Sequence, residues 1–150
     1  GVRMYKFNTN KDADYAEDLV KTDLIGHGWI INTPSSRDSE YDLLADLGGG
    51  VFEKIQVKKM RNFILPRGVW RKGDKVSKDG KNRNSIDYAE RGIDWLVGVD
   101  VESKKIFYYH ISSYSKKPKR FKVTSPKHPP YKFPTNGMMR HNKTGKVIDE

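Results

Sequence analysis

The chain contains no cysteine. That excludes a disulfide framework, a thiolate zinc site and a cysteine nucleophile, and it suits a reducing, intracellular setting. No apolar run is long enough to span a bilayer, and the first residues lack the apolar core of a signal peptide. The expected location is therefore cytoplasmic. No basic amphipathic helix is visible, which argues against a membrane-surface partner. His-Glu-x-x-His, Gly-x-Ser-x-Gly and the Walker loop are all missing. His27, His110, His128 and His141 show no metal-ligand spacing, so each reads as an ordinary surface or core histidine. There is no internal repeat.

What the chain does have is positive charge. Lysines and arginines number 29 against 19 acids, for a net charge of +10 over 150 residues. Such an excess in a chain of this type points to a polyanion, nucleic acid first. Three Trp, six Phe and eight Tyr argue against disorder despite the high charge. The length suits one domain with a real core, and the whole of residues 1–150 is read as such.

A helix is expected first. Asn8, Thr9 and Asn10 offer capping oxygens, Asp12 and Asp14 suit the first-turn dipole, and Ala13, Ala16, Leu19, Val20 and Leu24 recur at helical spacing. Gly26 and Gly28 stop it near Ile25. Glu17 falls on the edge of the apolar face, where it is either a solvated flank residue or a functional carboxylate. Trp29–Asn32 reads as a short strand, followed by a polar loop broken at Pro34.

The stretch from Tyr41 to Lys59 reads as a hairpin. Tyr41–Leu47 is one strand, Gly48-Gly49-Gly50 the turn, and Val51–Lys59 the other strand. In the second strand Val51, Ile55 and Val57 share one side, while Lys54, Gln56 and Lys58 share the other. Beyond it, residues 67–83 are rich in Arg, Lys and Gly, and read as an irregular excursion or long hairpin. Ser85–Arg91 is expected to form a short helix. Ile93–Val101 and Ile106–Ile111 read as a second hairpin, rich in β-formers. From Lys116 onward ten Lys or Arg face two acids, with prolines at 118, 126, 129, 130 and 134. Residues 112–150 are thus expected to form an extended basic arm, lying on the core, a partner subunit or DNA.

These residues allow phosphodiester chemistry. Magnesium takes oxygen ligands and needs only one or two carboxylates. Asp42 can supply one, the Gln56 amide oxygen can stand in place of a second, and the Val57 carbonyl is a third oxygen. Lys58 can orient water or neutralise developing charge, and Glu17 can complete the site through water. Each residue also has an ordinary reading: a strand-edge charge for Asp42, a polar-core hydrogen bond for Gln56, a solvated strand residue for Lys58. Asp46 competes with Asp42 as a ligand.

The order of elements is similar to that of the PD-(D/E)XK nuclease superfamily: a helix with Glu17, a strand opening at Tyr41-Asp42, and a strand carrying Gln56-Val57-Lys58. Within it the chain most resembles the small bacterial homing endonucleases encoded in group I introns. The resemblance spans roughly Asp12 to Ile111, so about 10–111 is expected to be the catalytic core. It implies an α/β, restriction-endonuclease-like fold: a mixed sheet with flanking helices, here followed by the basic arm. It implies a Mg2+-dependent, site-specific endonuclease acting on double-stranded DNA in a bacterial or phage context, with Mn2+ able to substitute. Glu17, Asp42, Gln56 and Lys58 take the catalytic positions, and Asp42, Gln56 and Val57 those of the metal ligands. Gln56 departs from the family's carboxylate, which leaves weaker metal binding or a decayed, purely DNA-binding site as alternatives. A Holliday-junction resolvase or repair nuclease on the same core is another.

For DNA the candidates are Lys59, Arg61, Arg67, Arg71, Lys72, Arg83, Lys116, Lys119 and Arg120, chosen as arginines and lysines beside the catalytic strand or along the arm. One site cuts one strand, so a double-strand cut calls for a homodimer at least, and a long target for a tetramer.

Overall fold

The structure is a computed structural model and describes residues 9–36, 38–69, 85–113 and 118–124. Helix α1 spans Thr9–Gly26. Ala16, Val20 and Leu24, four residues apart, form its buried stripe. It ends in a Schellman motif. Gly28, at φ +89°, donates to the Ile25 carbonyl at 2.9 Å, and Trp29 N–H donates to that of Leu24 at 3.0 Å. The accompanying apolar contact is present too, since Trp29 and Leu24 sit in one cluster. The helix thus hands the chain to the sheet at a set angle.

Among the described residues nine strands follow: β1 (Ile30–Asn32), β2 (Leu43–Gly48), β3 (Val51–Lys59), β4 (Phe63–Ile64), β5 (Arg67–Val69), β6 (Ser85–Asp87), β7 (Trp95–Asp100), β8 (Lys105–His110) and β9 (Phe121–Lys122). Five build the main sheet in the order β1-β2-β3-β7-β8. All neighbours are antiparallel except β3 and β7, which run parallel with Ile55 opposite Trp95 and Lys58 opposite Gly98. The sheet is therefore mixed, as expected. Gly48, Gly49 and Gly50 all have φ between +63° and +82°, so the β2–β3 turn uses the left-handed region that glycine alone enters without strain.

Alternation along the strands sorts side chains onto two faces. The helix face holds Leu43, Ala45, Ile55, Val57, Trp95, Val97, Val99 and Tyr108 against α1. The opposite face holds Met60, Leu96, Tyr109 and Ile111, with Phe121 of β9 and Ile64 of β4 packed over them. Burying both faces explains why β7 is apolar at successive positions rather than alternating. Gln56 and Lys58, out of phase with Ile55 and Val57, leave β3 toward the second face.

One expectation needs correction. Ser85–Arg91 is not a helix. Ser85–Asp87 pairs antiparallel with Arg67–Val69, and Asp87 Oδ1 then accepts the Ala89 and Glu90 N–H groups at 3.0 and 3.3 Å, which leaves only a turn before Gly92. The sheet pairing outcompetes local helix preference, and it makes β5 and β6 a two-stranded antiparallel pair. Among the described residues the helical segments are α1 and one 3-10 turn at Ile111–Ser113.

Candidate functional site

The Asp42 backbone N–H donates to the Ile55 carbonyl at 3.0 Å, which pins the residue to the middle of β3 just before β2 begins. Its carboxylate Oδ2 then accepts the Val57 N–H at 2.8 Å. At this point β3 has run past the start of β2, so the Val57 main chain has no strand partner on that side and the carboxylate takes its place. A strand residue turns its N–H and C=O to the same side. The Val57 carbonyl therefore faces the same gap.

Glu17 enters this gap from α1. It lies on the turn adjoining Ala16 and Val20, half-buried, within hydrogen-bonding reach of Asp42. Burial raises its pKa from 4.5 to about 7, and the charge and hydrogen bond of Asp42 and the charges of Asp14 and Asp18 reinforce the shift. Near neutral pH the Glu17 carboxyl is thus partly protonated beside Asp42. A cleft of about 360 Å³ opens beside the pair, lined by Ala13, Asp14, the Thr33–Ser36 loop, Ser39 and Tyr41.

Gln56 is buried, at 9 % exposure. Its Oε1 has no hydrogen-bond partner among the described residues. A buried amide oxygen left unpaired is costly, and this one sits beside Val57 on the strand that carries the Asp42 contact. Lys58 projects on the same face as Gln56. Its Nζ donates to the Arg67 carbonyl at 3.1 Å and stands 5.5 Å over the Tyr88 ring, while burial lowers its pKa. Gly68 makes room for that ring. A Cβ there would lie 2.1 Å from the Tyr88 Oη.

The structure thus joins Glu17 to Asp42 and Asp42 to Val57, with Gln56 and Lys58 flanking Val57 on β3. Asp46 does not compete. Its Oδ1 accepts the Gly48 N–H at 2.8 Å and serves the turn. An oxygen-rich donor set of this kind suits a hard divalent cation: two carboxylates, an unpaired amide oxygen and a backbone carbonyl.

Several candidate DNA contacts are placed as well. Lys59 pairs with Asp12 at 2.7 Å and Arg61 with Glu102 at 3.6 Å in an exposed pair. Arg67, Lys119 and Arg120 are exposed, with Arg120 5.1 Å over the Phe63 ring. Because β9 packs Phe121 on the second face, Lys119 and Arg120 lie on the same side of the sheet as Gln56 and Lys58. Arg71, Lys72, Arg83 and Lys116 lie outside the described residues, as does most of the arm.

Sequence reasoning missed one cluster. Glu53, Asp94 and His110 bring ligand atoms within 4.8 Å of one another. His110, read as an ordinary histidine, is 2 % exposed and its Nε2 lies 2.9 Å from Glu53 Oε2. The Asp94 pKa is raised by burial, with the Glu53 charge adding to the rise and the Lys54 N–H opposing it. No spacing signal could have revealed a set whose members are 41 and 16 residues apart.

Among the described residues no helix is long and apolar enough to cross a membrane. No curated protein matches the chain. A solved structure of a bacterial homing endonuclease, I-Ssp6803I, shares its fold with a TM-score of 0.58 at 18 % identity, over 79 % of this chain and 80 % of that one. The sequence pattern of the PD-(D/E)XK endonucleases matches residues 7–130. With its helix glutamate, its strand-opening Asp42 and its Gln56-Val57-Lys58 strand on a shared sheet, the chain belongs to the PD-(D/E)XK endonuclease family.

Proposed function

We propose that the protein is a site-specific endonuclease of the homing type, hydrolysing phosphodiester bonds in double-stranded DNA with Mg2+, for which Mn2+ can substitute. The observation that carries this reading is the buried Oε1 of Gln56, unpaired among the described residues, on the strand that anchors the Asp42 carboxylate. A cation held by Asp42, Gln56 and the Val57 carbonyl would satisfy that oxygen, lower the repulsion between Glu17 and Asp42, and polarise the scissile phosphate.

The protein's own groups supply the rest. The Val57 N–H holds one Asp42 oxygen in place, so the carboxylate is oriented before any ligand arrives. Ionised Glu17, with a pKa of about 7, takes the proton of the attacking water as the new P–O bond forms, and the leaving oxygen departs with its electron pair and is protonated from solvent to a free hydroxyl. Lys58, fixed by the Arg67 carbonyl and the Tyr88 ring, offers a positive charge to the pentavalent phosphate. Lys59, Arg61, Arg67, Lys119 and Arg120, together with Arg71, Lys72, Arg83 and Lys116, hold the DNA backbone and read base edges.

The reading includes a homodimer at least, since two strands need two sites, and a tetramer for a long target. It places the catalytic core at about 10–111 and the basic arm at 112–150 in a single domain, and the protein in the cytoplasm of a bacterium. The similarity to a homing endonuclease favours intron homing as the setting. The replacement of the family's carboxylate by Gln56 favours one competing reading, a DNA-binding module without turnover.

Incubating the purified protein with a randomised duplex library, in Mg2+ and in EDTA, tests all of this. Recurrent double-strand cuts at one sequence, abolished by EDTA and slowed about 10²–10³-fold by Lys58→Ala, are expected. Equal cutting in EDTA overturns the metal mechanism. Cutting of four-way junctions alone assigns a resolvase, and duplex binding without cutting assigns the binding module.

A further inference from the structure

We propose that Glu53, Asp94 and His110 form a second metal site, for one divalent transition ion of the zinc class, separate from the Asp42 site. Glu53 lies in the first half of β3, three residues before Gln56 and ~10 Å from it along the strand at the usual rise. It shares the phase of Ile55 and so faces the helix side, away from Gln56 and Lys58. Asp94 stands just before β7, and His110 closes β8 opposite Trp95. Three strands of the sheet therefore meet at this cluster.

The donors are pre-arranged. His110 is held edge-on against Trp95, ring centroids 4.6 Å apart. The Asp94 main chain is bonded on both sides, its N–H to the Lys54 carbonyl at 3.0 Å and its carbonyl to the Ile111 N–H at 2.9 Å. Its Oδ2 accepts the Lys54 N–H at 2.9 Å. Glu53 is 8 % exposed, and while its Oε2 meets His110 Nε2, its Oε1 is buried without a partner among the described residues.

Charge gives the second reason. Among the described residues no lysine or arginine forms an ion pair with Glu53 or Asp94. A buried and a half-buried carboxylate beside one imidazole carry an excess negative charge that desolvation makes costly. A divalent cation neutralises both and occupies the empty side of Glu53. One imidazole and two carboxylates match zinc and its neighbours, whereas magnesium prefers an all-oxygen, water-rich shell. Bound there, the ion ties β3, β7 and β8 together and stiffens the strand that carries Gln56 and Lys58.

The test uses Asp42→Asn protein, full length and stripped with EDTA, so that the first site contributes little and cleavage is not read. Equilibrium dialysis against micromolar Zn2+ is expected to show one equivalent bound and a raised Tm. Adding Glu53→Gln, and separately His110→Gln, is expected to weaken that binding at least tenfold. Should His110→Gln not fold, the near-isosteric Glu53→Gln and the Co2+ absorption of the Asp42→Asn protein decide, the latter expected to show the visible bands of a low-coordinate site. The proposal is overturned if the Asp42→Asn protein takes up no zinc, or if zinc binds equally well without Glu53 or His110, leaving a closed Glu53–His110 ion pair.

Discussion

The Asp42 carboxylate accepts the Val57 N–H at 2.8 Å where β2 has not yet begun. A side chain thus completes a ladder that the backbone leaves open, and an acid is fixed at the start of β2. The same contact brings Glu17, Gln56 and Lys58 into one neighbourhood, because each is placed relative to either Asp42 or Val57.

Glu17 makes stability depend on pH. Its pKa rises from 4.5 unfolded to about 7 folded, so in that window the folded chain holds a proton the unfolded chain has released. Stability is greatest below pH 4.5 as far as this group is concerned, and falls as pH rises through about 7. Because Glu17 is half-exposed and screened, the loss should be about 1 kcal/mol. Urea melts of the metal-free protein at pH 5 and pH 8 measure it, and Glu17→Gln should flatten the difference. Millimolar Mg2+ should restore more stability at pH 8 than at pH 5.

On the proposed reading, Gln56 sets the strength of the cation site. Replacing Gln56 by Glu returns a negative charge to the unpaired position and should tighten Mg2+ binding by about tenfold, a change of the size seen for supporting groups in metal sites. Gln56→Leu should lose both Mg2+ binding and cleavage. Calorimetric titration with Mg2+ checks the first, and a cleavage assay the second. Unchanged Mg2+ affinity in Gln56→Leu would show that the amide oxygen holds no cation.

Lys58 should act on rate rather than on binding. Lys58→Ala is expected to slow cleavage by about 10²–10³-fold, the range for removing one group that stabilises transition-state charge. DNA affinity, read by gel shift, should change by less than threefold, as one phosphate contact among many.

Gly68 should matter through Tyr88. A Cβ would stand 2.1 Å from the Tyr88 Oη and 2.7 Å from its Cζ, so Gly68→Ala must displace the ring over which Lys58 is held. The expected result is a loss of about 1–3 kcal/mol, the usual cost of overpacking, with a fall in cleavage rate larger than the fall in DNA affinity. Tyr88→Phe removes the nearest atom and should recover part of both in the double variant.

Where the structure follows local pattern, the sequence anticipated it closely. The 16/20/24 spacing and the Gly28 stop produced α1, because an amphipathic stripe and a left-handed C-cap are properties of a short stretch. Three consecutive glycines and an alternating strand produced the β2–β3 hairpin for the same reason. Within that hairpin the odd phase of Gln56 and Lys58 was already visible, and with it the candidate site on β3.

Long-range pairing settled the rest. Ser85–Asp87 became a strand because Arg67–Val69 was there to bond it, and a window of seven residues contains no information about that partner. The parallel placement of β7 beside β3 likewise brought Asp94 and His110 to Glu53, though nothing in their spacing links them. Periodicity reports which face a residue takes on its own element. Which elements then share a face depends on burying the apolar surfaces of all of them at once, and that is a property of the folded chain.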